Sequence, residues 1–180
     1  MSEGEKRENQ SIQSWAAISG AMLGVELTIL TLIWQFSPKE GIITTSFLLL
    51  CSFPLFINSM TVNAKIIYEQ GQGTEKKFIE RWTKFAEYSF GLGFTLVIVA
   101  FAIFGYKILM EYTSGAIVSL LLPIAFIAVI WVILLIYNAL NVPGKRFKYF
   151  RSWKRNIWIL TELVGLIFIG LDYFNILVLV

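Results

Sequence analysis

Glu26, Glu162 and Asp172 each stand inside an apolar run long enough to be buried in a bilayer, and carboxyl groups in such surroundings are where chemistry is first sought. An ionised, unpaired carboxylate there is costly, so each must be protonated, hydrogen-bonded, hydrated or bound to a cation. Trp15 and Trp34 bracket the first run at about 28 Å, as interfacial anchors do, and Glu26 lies roughly 16 Å past Trp15, near the midplane. No other run supplies a basic residue at that depth. Three roles are open to Glu26: a neutral carboxyl joining two helices, a proton or cation site, or a ligand contact. For the first, a partner is at hand, because Pro54 has no N–H to give the carbonyl of Leu50 and that freed carbonyl should lie at a similar depth.

Glu162 and Asp172 follow at depths of about 8 and 22 Å on the last run, so three carboxyls at stepped depths can form a relay for protons or cations. Pairing is the competing expectation: Lys65 can snorkel toward Glu162, and Lys107 can reach Asp172. Glu26 alone has no charged partner in prospect.

The elements that must position these groups follow from composition. Hydrophobic residues make up 57% of the 180 and charged residues 15%, far from a soluble balance. Five windows reach the roughly 20 apolar residues a bilayer core demands: 15–36, 42–63, 88–109, 116–139 and 156–179. They are too long and too evenly apolar for alternating barrel strands, so the expected fold is all-α, a polytopic integral membrane protein with five transmembrane helices in one domain (15–180) behind a cytoplasmic segment (1–14). The acids mixed into that segment, and an apolar stretch longer than a signal peptide's, make the first window an uncleaved anchor.

Charge placement fixes the expected orientation. Lys6, Arg7, Lys65, Lys76, Lys77, Arg81, Lys84, Lys145, Arg146, Lys148, Arg151, Lys154 and Arg155 fall on one side, against Lys39 and Lys107 on the other. The N-terminus is thereby expected in the cytoplasm and the C-terminus outside, in a cell membrane. The outer loops are only a few residues each. On the inner side, the second helix should run to about Tyr68, break at Gly71-Gln72-Gly73, and restart with Thr74 as N-cap into an amphipathic lead carrying Phe78, Glu80, Trp82, Lys84 and Phe85.

Ala16, Gly20 and Gly24 form a small-residue stripe for helix packing, with Glu26 about 200° beyond Gly24 and so directed away from it. Pro54 and Pro123 are packing positions, as are Asn58 and Ser59. The loop holding Lys145, Arg146, Lys148, Arg151, Lys154 and Arg155 mixes cations with aromatics, which in this setting suits anionic lipid headgroups rather than nucleic acid.

With no His, histidine-ligated metals, haem and a histidine base are excluded, and one cysteine, Cys51, precludes an intramolecular disulfide. No activated nucleophile, phosphate-binding loop or metal-ligand spacing is legible, so no enzyme and no cofactor are expected; whether any metal binds is left open. Ser19-Gly20 followed by Glu26, the amphipathic lead into the third helix, and Pro123 early in the fourth resemble the organisation of the Orai calcium channels over residues 14–140. In that family a ring of first-helix glutamates selects the ion. Here Glu26 lies deeper, and the fifth helix has no counterpart. The expected function is a small oligomeric membrane protein that conducts or couples to a small cation or proton through Glu26. The alternative is a non-catalytic anchor whose cytoplasmic helix and basic loop dock a soluble protein.

Overall fold

The computed structural model describes residues 3–35, 41–113, 117–141 and 153–180, with side chains over 12–35, 41–113, 117–136 and 157–180. It is all-helical, with no strand among the described residues. Among the described residues the helices are α1 (Glu3–Gln35), α2 (Ile42–Gly71), α3 (Lys76–Thr113), α4 (Ile117–Asn141) and α5 (Trp153–Tyr173). Within α1 to α4, the stretches Ile12–Gln35, Ile42–Gly71, Lys76–Thr113 and Ile117–Ile136 are long and apolar enough to cross a membrane.

Three boundaries differ from expectation. α1 begins at Glu3 rather than near residue 15, so the N-terminal segment continues the helix. Thr74 is not an N-cap. It belongs to the end of α2, where Gly73 takes a left-handed φ of 78°, its N–H bonds the Gln70 carbonyl, and the Thr74 N–H reaches back to Glu69. These bonds satisfy carbonyls that a helix end leaves open, and only glycine enters that conformation without cost. The Thr74 hydroxyl is drawn to the Glu69 carboxylate, 2.6 Å away, and the Glu75 carbonyl accepts the first bonds of α3.

The third difference is the last run, which does not stay helical to residue 179. α5 ends at Tyr173 through the same device, with Asn175 left-handed at φ 57° and the Ile176 N–H bonding the Leu171 carbonyl. Residues 176–180 then pass beside the start of α2, where the Thr44 N–H and hydroxyl both donate to the Val180 carbonyl at 2.7 and 2.8 Å.

Contacts divide the chain into two compact units, residues 1–32 with 49–94, and residues 33–48 with 95–180. In the first, α1 and α2 are antiparallel. Among the described residues of this unit, α1 buries Ile12, Ser19 and Glu26, seven apart, and then Leu30, and α2 buries Leu49, Ser52, Phe56, Ser59, Asn63 and Ile66, alternately three and four apart. This is the spacing of knobs-into-holes packing, which keeps one narrow seam facing the partner helix. Ile12 packs in one cluster with Ile66, Ser19 meets Ser59, and Glu26 meets Ser52. α3 runs antiparallel to α2, joined by an Asn58–Ser89 bond of 2.6 Å and by the Phe56 and Phe90 rings. Gly93 permits that approach, since a Cβ there would lie 3.3 Å from both Leu55 and Phe56.

In the second unit, α3, α4 and α5 enclose a core of Ile98, Val99, Ala102, Ile103, Tyr106, Ile127 and Ile169, which the returning Leu179 completes. α5 buries Glu162, Gly165, Ile169 and Asp172 along one stripe. Over 117–136, the part of α4 with described side chains, only Ser119, Pro123 and Ile127 are buried, at four-residue spacing, and an almost unbroken aliphatic surface is exposed, Leu121, Leu122, Val129, Val132 and Ile133 among it.

Candidate functional site

Glu26 is completely buried in the α1–α2 seam, and its partner is Ser52 rather than the expected Leu50 carbonyl. Pro54 lies on the exposed side of α2, so the carbonyl it frees has no reason to face α1; the heptad places Ser52 there instead. The Ser52 hydroxyl touches two acceptors, the Glu26 Oε1 and, at 2.8 Å, the Leu49 carbonyl. A hydroxyl carries one proton and cannot donate to both. Both contacts are satisfied together when Glu26 carries a proton and donates it to Ser52 Oγ, leaving Ser52 to donate to Leu49. The other carboxyl oxygen, Oε2, is buried with no hydrogen-bond partner among the described residues.

One heptad away, Ser19 Oγ lies 3.2 Å from Ser59 Oγ and 2.9 Å from the Trp15 carbonyl. The seam therefore alternates an apolar layer, a hydroxyl layer and a carboxyl layer. The stripe of Ala16, Gly20 and Gly24 is not the buried face expected. Gly20 sits 3.6 Å from Met60 Sδ on α2, while a Cβ on Gly24 would meet open space. Nor does Glu26 project from the helix exterior, as a ring shared among copies would require.

The other two carboxyls are engaged in the second unit. Asp172 accepts from Lys107 Nζ at 3.0 Å, from the Tyr106 hydroxyl at 2.7 Å and from the Leu179 N–H at 2.6 Å, with Lys107 and Asp172 both buried. Lys107 therefore reaches Asp172, as the spacing had indicated. Glu162 accepts from the Trp131 indole N–H, and within the first unit Lys65 Nζ lies over the Trp82 ring, 4.5 Å from its centroid. Ten residues, about 15 Å of helix, separate Glu162 from Asp172, and each has its own donors, so these two do not form the hydrogen-bonded steps of a relay.

Ser52, Tyr106, Trp131 and the C-terminal return were not singled out from sequence. The seven-residue repeat of Ile12, Ser19 and Glu26 against Ser52, Ser59 and Ile66 was the signal available for the first of them. The side chains of Lys145, Arg146, Lys148, Arg151, Lys154 and Arg155 lie outside the described residues. No group of three or more His, Cys, Asp or Glu residues gathers as a metal site among the described residues. Compared with protein-family models, curated proteins and solved structures, the chain matches none.

Proposed function

We propose that the chain is an integral protein of the cytoplasmic membrane, crossing it five times with the N-terminus in the cytoplasm and residue 180 outside, and that Glu26 binds an exchangeable proton or small cation coupled to the packing of α1 on α2. The observation that carries this reading is the unpartnered, buried Oε2 of Glu26. A carboxyl kept in an apolar seam with one oxygen unserved costs stability that a purely structural role does not explain.

Its surroundings favour the proton. Around the carboxyl stand one hydroxyl and, behind it, one carbonyl, whereas hard divalent cations gather six or more oxygens. Since Glu26 faces α2, the path to it is assigned to the interior of one protomer. Association into a homo-oligomer remains part of the proposal, with the open surface around Gly24 suited to close helix contact. Anionic lipid is the proposed partner of the basic loop.

The test is ion flux in proteoliposomes. Glu26→Gln, which keeps a donor and nearly the same shape but holds no ionisable proton, is expected to fold normally and abolish flux, and Glu26→Asp to retain part of it. Measurable flux left intact by Glu26→Gln overturns the proposal.

Phe78 and Phe85, exposed on the N-terminal part of α3, favour a second reading in which this segment docks a soluble protein. That reading expects a partner bound through residues 70–87 and indifferent to Glu26→Gln.

A further inference from the structure

The first unit contains a cavity of about 150 Å³ among α1, α2 and α3 whose chemistry neither Glu26 nor the seam accounts for. Its walls combine two aromatic rings with a set of polar groups. Trp15 and Phe90 meet edge to face, centroids 5.3 Å apart at 74°, so two π surfaces form one corner. Glu87 supplies a carboxylate and is the only charged residue in the lining among the described residues. Thr83 gives its proton to the Ile79 carbonyl at 2.9 Å, which leaves its oxygen lone pairs as acceptors. Asn63 is 5% exposed and turns a side-chain amide to the lining.

We propose that this cavity binds a small organic ammonium group of about the size of choline. An alkylammonium offers an apolar body for two ring faces and a positive charge for the π clouds and the Glu87 carboxylate, and a hydroxyl or N–H on it serves Asn63. An anion finds no cation in the lining among the described residues. The nearby Lys65 shows the same cation-on-ring chemistry supplied by the chain itself, since its ammonium lies over Trp82. The proposal is independent of the reading of Glu26. Two sources carry the same chemistry, a free solute and a lipid headgroup.

The test is calorimetric titration of the full chain, in detergent free of ammonium lipids, with choline and with its uncharged isostere bearing a tert-butyl group in place of the trimethylammonium. Choline is expected to bind with a Kd of about 1 mM, and the isostere at least roughly tenfold more weakly. Glu87→Gln, at an exposed position that leaves folding intact, is expected to weaken choline about tenfold without changing the isostere or the melting temperature. Trp15→Leu should weaken choline more than the isostere. Repeating the titration in phosphatidylglycerol nanodiscs with and without phosphatidylcholine separates the sources: weaker choline binding in the presence of the lipid assigns the headgroup, and unchanged binding assigns the solute. Equal binding of the isostere, indifference to Glu87→Gln, or no choline binding at about 100 mM overturns the proposal.

Discussion

Ser52 stands opposite Glu26 across the antiparallel α1–α2 pair, and the same register carried seven residues along each helix sets Ser59 against Ser19. The seam is thus polar in its middle layers and apolar at Ile12 and Ile66. In a helix pair surrounded by apolar groups, such hydroxyl and carboxyl layers specify one register, because a slip of one turn would set the carboxyl against a side chain that cannot answer it.

Glu26→Leu should separate stability from function. It removes a carboxyl with one unserved oxygen and leaves Ser52 free to donate to Leu49 alone, so the protein should melt at the same temperature or higher, a gain of up to ~1 kcal/mol. Flux should nevertheless fall to background. A loss of stability well beyond ~1 kcal/mol, measured by unfolding in detergent, would identify the carboxyl as the bond that holds the helices together.

Asp172 makes the opposite prediction. Asp172→Asn removes the carboxylate that Lys107 Nζ meets at 3.0 Å and should cost ~3–5 kcal/mol, because a buried ion pair is broken at one partner. Adding Lys107→Met should recover at least ~1 kcal/mol of the loss, a coupling read from a double-mutant cycle. Strict additivity would show that the ion pair is not what Asp172 contributes.

Much of this architecture was legible in the sequence because apolar length and the spacing of Trp, Gly and charge act locally. The helices and the break at Gly71-Gln72-Gly73 follow from such signals, as does the reach of Lys107 to Asp172. Depth along a helix was readable, but azimuth was not. Glu26 was aimed at Leu50 on the strength of depth alone, whereas the seven-residue repeat turns Ser52 toward it. The end of α5 was missed for a different reason: the residues from Phe174 to Val180 are apolar enough to continue a span, and Asn175, the one helix-ending signal, is weaker than a glycine.

Two glycines should respond in contrasting ways to alanine. At Gly165 a Cβ would come 2.6 Å from Val99 Cγ1, so Gly165→Ala must displace α5 or α3 and should cost ~1–3 kcal/mol. At Gly24 a Cβ meets nothing within 4 Å, so Gly24→Ala should be neutral or stabilising by up to ~1 kcal/mol in the isolated protomer. Thermal unfolding of the two variants side by side checks both, and equal responses would contradict the α3–α5 contact.

Orientation can be probed at the exposed turn between α2 and α3. With Cys51 replaced by serine, Gln72→Cys should react with a membrane-impermeant maleimide only when the reagent reaches the cytoplasmic face. Labelling of intact cells at this position would reverse the proposed topology.

The bond between Thr44 and Val180 also bears on the order of assembly. The first turn of a helix has N–H groups with no acceptor of its own, and at the head of α2 the Thr44 N–H is served by residue 180. A ribosome delivers Thr44 early and Val180 after 136 further residues. During that interval the Thr44 N–H at the head of α2 must borrow water as a substitute, and the Val180 carbonyl replaces it. Maturation of this corner therefore waits on residue 180, and removing Leu179 and Val180 would leave α2 in the state it occupies midway through synthesis.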